Sequence, residues 1–246
     1  MKMKIAATLV AFAALAFGQA QADTINLVQN GNFEQSGYVH NNQFGTGYGG
    51  QGVTGWTGGN GYELYFVGST GATNSADTQY NSGYNTGSEK FYTMPNSISG
   101  GNYVGLDGDQ TNGIQGSVSQ TINGLTAGTT YMLSFNWATG QLQSRTGATT
   151  NSIKVSFGNQ TFTTPIIGTP SQGSTPWLTQ TVLFTASSTS QVLSFLSIGT
   201  PTGLPPMVAL DGVSLVAAPE PASLAVMSSG LILLGFFYRR RQQRAA

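Results

Sequence analysis

Along most of the chain, apolar and polar positions alternate with a period of two. Tyr131, Leu133, Phe135 and Trp137 alternate with Thr130, Met132, Ser134 and Asn136. Ile153, Val155 and Phe157 do so with Ser152, Lys154 and Ser156, and Val118, Gln120 and Ile122 with Ser117, Ser119 and Thr121. Further runs carry Val182 and Phe184, then Leu193 and Phe195, then Val208, Leu210, Val213 and Leu215. Tyr103-Val104-Gly105-Leu106 and Glu63-Leu64-Tyr65-Phe66 are shorter candidates. Period two is the signature of a half-buried strand. Turn residues separate the runs, among them Asn123-Gly124, Ala127-Gly128, Gly158-Asn159, Thr169-Pro170 and Pro205-Pro206. Nothing from about residue 25 to 216 shows helical periodicity. Many short strands with one apolar face predict an all-β, two-sheet sandwich. Trp137 shares its face with Leu133 and Phe135, which assigns it to the core.

Two segments break the pattern at the ends. Met1–Lys4 is basic, Ile5–Phe17 is apolar, and Ala20-Gln21-Ala22 is a small-x-small site. That order predicts a secretory signal peptide over 1–22, with a mature chain beginning at Asp23. At the other end, Pro219-Glu220-Pro221 precedes the uncharged run 222–238 and then Arg239-Arg240-Arg241. Seventeen residues reach roughly 25 Å as a helix, the lower limit of a membrane span. The arginines would hold the cytoplasmic side.

Composition narrows the chemistry. Only 7% of the 246 residues are charged, against about 25% in a typical soluble domain. There is no cysteine and a single histidine, His40. Thiol catalysis, disulfides, cysteine-bound zinc and multi-histidine metal sites are excluded. Between residues 23 and 218 eight acids face three bases, a net of −5, which disfavours nucleic acid as a partner. The segment 67–101 has no alternating run, yet it holds Tyr80, Tyr84, Phe91 and Tyr92 among Gly, Ser, Asn and Thr. Long structureless segments in compact domains are functional or disordered. Tyrosine amid small polar residues suits a binding surface, and a flexible insertion remains the alternative.

The order Pro-Glu-Pro, short apolar helix and terminal arginine cluster resembles the PEP-CTERM sorting signal of Gram-negative bacteria. The resemblance covers about the last 28 residues. It implies an exosortase-type processing enzyme as partner, passage through the inner membrane, and a destination at the cell surface or in the extracellular matrix. A second resemblance rests on pieces in order: Asn26-Leu27-Val28-Gln29-Asn30-Gly31-Asn32-Phe33-Glu34, Gly55-Trp56, Tyr103-Val104-Gly105-Leu106-Asp107-Gly108, Leu125-Thr126-Ala127-Gly128-Thr129-Thr130-Tyr131, and Ala209-Leu210-Asp211-Gly212-Val213. These are similar to the galactose-binding-like jelly rolls of carbohydrate-binding modules. The organisation expected is a signal peptide (1–22), a jelly-roll β-sandwich (23–218) and a sorting segment (219–246).

That family implies glycan or exopolysaccharide binding without catalysis. It also implies a structural calcium tying the first strand to the last, with Glu34 and Asp211 as carboxylate ligands. Calcium takes several oxygens; the alternative is two solvated rim carboxylates. Aromatic faces stack on sugar rings, so Trp177, Tyr62, Tyr65, Tyr80, Tyr84 and Trp56 are the ligand-binding candidates. Trp177, after Pro176, is expected to be the exposed tryptophan, and the resemblance suggests that Trp56 packs. Asp107-Gly108-Asp109 resembles the start of an EF-hand loop, but Gly113 is one place late and no Glu closes it; it reads as a turn. A matrix component without a ligand is the alternative function. A glycoside-active enzyme is a remote one, for which Glu34, Glu63 and Glu89 are candidates by residue type alone.

Overall fold

The computed structural model describes residues 25–39, 41–45, 52–68, 91–111, 115–142, 145–204 and 206–219. The signal segment, the apolar run 222–238, the arginine cluster, His40, Tyr80, Tyr84, Glu89, Glu220 and Pro221 lie outside them. The described residues are all-β, and no helix among them is long and apolar enough to cross a membrane.

Two antiparallel sheets form a sandwich. In chain order the strands are β1 (Asn42–Phe44), β2 (Thr57–Gly58), β3 (Glu63–Phe66), β4 (Tyr103–Asp107), β5 (Ser117–Asn123) and β6 (Thr130–Gly140). They continue as β7 (Thr149–Phe157), β8 (Gln160–Thr163), β9 (Ile167–Thr169), β10 (Leu178–Thr185), β11 (Ser190–Thr200) and β12 (Met207–Ala217). The first sheet runs β1-β3-β4-β12-β6-β10, and the second β2-β5-β11-β7-β8 with β9 also on β7.

The core lies where the alternation puts it. Leu133, Phe135 and Trp137 of β6 meet Ile153, Val155 and Phe157 of β7 and Leu193 and Phe195 of β11 in one cluster. The Phe135 and Phe195 rings meet edge to face at 5.2 Å. Trp56 is buried in the same cluster, 5.1 Å from Phe33, and its indole N–H donates to the Asn30 carbonyl at 2.9 Å.

Two differences from the sequence expectation have physical causes. The segment at Asn26–Phe33 is no strand. It holds turns and bends, with Asn30 and Phe33 at positive φ (51° and 56°), and its backbone meets β12 through Leu27 to Leu215 and Val213 to Gly31. The first sheet also buries both its faces. Tyr65, Val104, Leu106, Val208 and Leu210 point into the sandwich, whereas Leu64, Phe66, Tyr103, Met207 and Ala209 form a second cluster. Successive strand residues face opposite ways, so this cluster lies on the outer side. Residues 91–102, the end of the expected loop, cover it with buried Phe91 and Met94.

Candidate ligand-binding site

The turn segment at 26–35 is fastened to β12 by side-chain amides. Asn26 Oδ1 accepts from the N–H of Val28 (3.0 Å) and of Leu215 (2.9 Å). Asn30 Oδ1 accepts from Gln35 N–H at 3.0 Å, and its Nδ2 donates to the carbonyls of Gln35 and Thr54, both at 2.8 Å. Asparagine tolerates the left-handed conformation that this clamp needs. Next to it Gly31 lies against β12, where a Cβ would stand 1.9 Å from the Val213 carbonyl oxygen. The β12–β6 register shifts between Asp211 and Ser214, with Gly212 at φ 59°. This bulge turns the Val213 N–H out to the Gly31 carbonyl at 2.8 Å.

Between segment and bulge lies a polar recess of about 450 Å³, lined by Asn26, Val28, Asn30, Gly31, Asn32, Gln35, Gly212, Val213 and Ser214. No lining residue is charged or aromatic. The side chains of Asn32 and Gln35 are exposed and have no partner among the described residues. Each amide offers donors and an acceptor, the complement of a hydroxyl.

Beside the recess the fold brings Glu34 and Asp211 together. Glu34 Oε1 accepts from the Asn102 N–H at 2.8 Å. Asp211 is buried; one carboxylate oxygen takes the Ser97 hydroxyl and the other the Gly212 N–H at 2.6 Å. Burial pushes the Asp211 carboxyl up to about 6. Hydrogen bonds from Ser97, Ser99 and Gly212 oppose that rise, and the nearby Glu34 charge adds to it. The set is all oxygen, with two carboxylates, one of them buried and repelled by the other. That chemistry fits a hard cation such as calcium. No cluster of three or more carboxylate or imidazole side chains placed to hold a metal ion exists among the described residues.

The aromatic candidates fare differently. Tyr65 has 0% exposure and donates its hydroxyl to the Phe33 carbonyl at 2.8 Å; Trp56 is 5% exposed. Both rings are enclosed by the core, so the structure removes them from the ligand-binding set. Trp177 is half-buried, with its indole N–H on the Pro95 carbonyl (3.0 Å) and its ring edge-on to Tyr103 at 5.5 Å. It is therefore not the open platform that its place after Pro176 suggests. Tyr62 is half-buried against the same cluster. Glu63 is wholly buried, with Oε1 on the Ser117 N–H at 2.8 Å, out of reach of any substrate. Asp107 and Asp109 do form a turn, the Asp109 N–H meeting Asp107 Oδ1 at 2.8 Å. Asn32, Gln35, Ser214 and Ser97 were absent from the candidates. The Asn30-Gly31 pair was the available signal, since it forces the turn that opens the recess.

A family model described as "Protein of unknown function (DUF642)" matches residues 80–209. No curated protein sequence matches the chain. Among solved structures it is similar to a family 61 carbohydrate-binding module in complex with β-1,4-galactotriose. That likeness has 18% identity and a TM-score of 0.34, covering 50% of this chain and 74% of that one. It is also similar to the xylan-binding CBM22-1 domain of Xyn10C from Paenibacillus barcinonensis, at 13% identity and TM-score 0.34, covering 68% and 89%. A CBM4 structure gives 14% identity and TM-score 0.34, covering 78% and 99%.

Proposed function

The chain belongs to the DUF642 family, described only as of unknown function, and from its own geometry we propose that it is an exported, non-catalytic glycan-binding protein. The observation that carries the reading is the neutral recess at the junction of segment 26–35 and β12. An amide-and-hydroxyl lining with no charge selects a neutral, hydroxyl-rich ligand over phosphates or peptides with charged side chains. The sandwich is taken as a jelly roll spanning 23–218. Its leader (1–22) would direct export, and its PEP-CTERM-like tail (219–246) would meet an exosortase-type enzyme at the inner membrane before release to the surface or exopolysaccharide matrix. Glu34 and Asp211 would hold a calcium ion with hydroxyls of the 97–99 segment; the ion would brace the rim of the recess. Burial of Glu63 supports a non-catalytic role, because it takes one carboxylate out of any hydrolytic pair.

The recess lacks an aromatic platform, so hydrogen bonds alone would supply affinity. Each neutral bond contributes about 0.5–1.5 kcal/mol, so Asn32→Ala and Gln35→Ala should each weaken binding by about 2- to 12-fold. The test is a glycan array with the purified chain, followed by titration of the retained polysaccharide against both variants. Retention that ignores both variants places binding elsewhere. If nothing is retained, the reading as a matrix component without a ligand takes its place.

A further inference from the structure

We infer that the free edge of the first sheet, strand β10, is a self-association site: two copies of this chain pair β10 to β10 about a two-fold axis at Thr181. β10 hydrogen-bonds to β6 on one side and, among the described residues, to no strand on the other. Which backbone groups face outward follows from the ladder. Just past the strand, the Ala186 N–H donates to the Thr129 carbonyl at 2.9 Å, in line with the Thr185–Thr130 register. Hydrogen-bonded pairs alternate in an antiparallel ladder, so even-numbered residues face β6. Thr179, Thr181, Leu183 and Thr185 turn their N–H and C=O away from it. Two side chains corroborate this. The Gln160 amide closes on both groups of Thr185 (2.5 Å to its carbonyl, 3.2 Å from its N–H), and Gln180 Nε2 donates to the Thr181 carbonyl at 3.0 Å.

The Gln160 cap ends the open edge at Thr185 and so fixes the register. The remaining window, Thr179, Thr181 and Leu183, is symmetric about Thr181. An antiparallel second copy therefore sets Thr181 opposite Thr181, and Thr179 opposite Leu183. Every open donor and acceptor then meets its complement. The Gln180 bond to Thr181 is replaced one for one by a backbone N–H.

Proteins blunt such edges with charge, proline or bulges, and β10 has none of these. No charged residue occurs from 155 to 210, so neither β10 nor its neighbours in sequence carry a charge that repels a second copy. Leu183 is 60% exposed and Leu178 36%; the pairing would cover both. At eight residues β10 is also longer than the edge strands β1 (three), β2 (two) and β8 (four).

The test uses the full chain in mild detergent, by sedimentation equilibrium with hydrogen exchange. The wild type should dimerise, and Thr179, Thr181 and Leu183 amides should gain protection as concentration rises. Thr181→Pro removes an N–H that serves no bond among the described residues, so the melting midpoint should hold while association weakens by about tenfold or more. Leu183→Lys should act alike through charge. The chain has no cysteine, so Thr181→Cys introduces a single thiol. It should cross-link into dimers with a short bis-maleimide, and Ser188→Cys should not. A monomeric wild type overturns the proposal. So does association that both variants leave intact, which would place it at the apolar chain ends. Protection of these amides in the monomer also overturns it, because another part of the chain would then cover the edge.

Discussion

Replacing Glu63 by glutamine should flatten the pH dependence of stability between about pH 6 and 7. Glu63 opens β3 inside the sandwich with no exposed surface, and its Oε2 has no hydrogen-bond partner among the described residues. Burial raises its carboxyl from 4.5 to about 7, even though the Ser117, Gly61, Glu63 and Gly59 backbone groups favour the anion. Glycines pack around it; a Cβ on Gly45 would stand 3.0 Å from Oε2, and one on Gly59 3.0 Å from Oε1. The carboxylate has no exposed surface through which bulk water could solvate its charge. A folded-state value above the unfolded one means that the native state holds the proton more tightly. The stability from that proton is complete below about pH 4.5 and is lost as pH rises through 7. Each tenfold change in proton affinity is worth about 1.4 kcal/mol, so the loss is about 3 kcal/mol. For a domain of this size that is about 6–12 °C in melting temperature.

The assay is thermal unfolding followed by tryptophan fluorescence from pH 4 to 9. Asp211 also rises, from 3.8 to about 6, and contributes a slope of the same sign at lower pH. The interval above 6 therefore isolates Glu63. Glu63→Gln should match the wild type near pH 4, apart from a constant offset for its buried amide, and should exceed it by up to about 3 kcal/mol at pH 8. If Glu63→Gln keeps the wild-type decline between pH 6 and 7, the buried-carboxylate argument is wrong.

Gln120→Ala should cost about 2–4 kcal/mol in a denaturant titration, because its buried amide joins Gln29 N–H and carbonyl (both 2.8 Å) and the Gly55 carbonyl (2.9 Å). If calcium binds at Glu34 and Asp211, calcium at 100 times its dissociation constant should stabilise the chain by about 2.7 kcal/mol, and Asp211→Ala should abolish the response. Equal melting curves with calcium and with chelator would remove the ion from the account. Deleting 219–246 should shift the chain out of the membrane fraction, as fractionation would show; persistence there would refute the anchor.

The long strands were legible because each alternates buried and exposed positions over much of its length, even where β6 and β12 are buried on both faces at one end. The β5, β6, β7, β10, β11 and β12 segments all read as period-two runs, and each is seven residues or longer. β1, β2, β8 and β9 were missed because two to four residues, mostly polar or glycine, hold too little alternation to register. Trp137 was readable as core from its neighbours on β6. Glu63 was not: the sequence offered it as a catalytic candidate and Tyr65 as a ligand-binding one, and the structure buries both on the shared inward parity of β3. The meeting of Glu34 with Asp211 came only from resemblance, since no local pattern links residues 177 positions apart. Nor did any periodicity announce the recess, which depends on a bulge at Gly212 and a left-handed turn at Asn30.

The two-sided burial of the first sheet explains why the site holds together without a disulfide. Apart from Glu63 at the start of β3 and Asp107 at the end of β4, these two short strands carry apolar residues and glycine at successive positions, as strands buried on both faces do. Their outer face needs a cover, and residues 91–102 supply it. The cover is pinned by Trp177 on the Pro95 carbonyl, by Ser97 on Asp211, and by the Asn102 N–H on Glu34. Two of the three pins are the carboxylates beside the recess. Removing either carboxylate should therefore take one hydrogen bond from the cover as well as from the rim. The recess rim and the apolar outer cluster thus share one strap, residues 91–102, which packs Phe91 and Met94 on the cluster and meets Asp211 and Glu34 through Ser97 and Asn102.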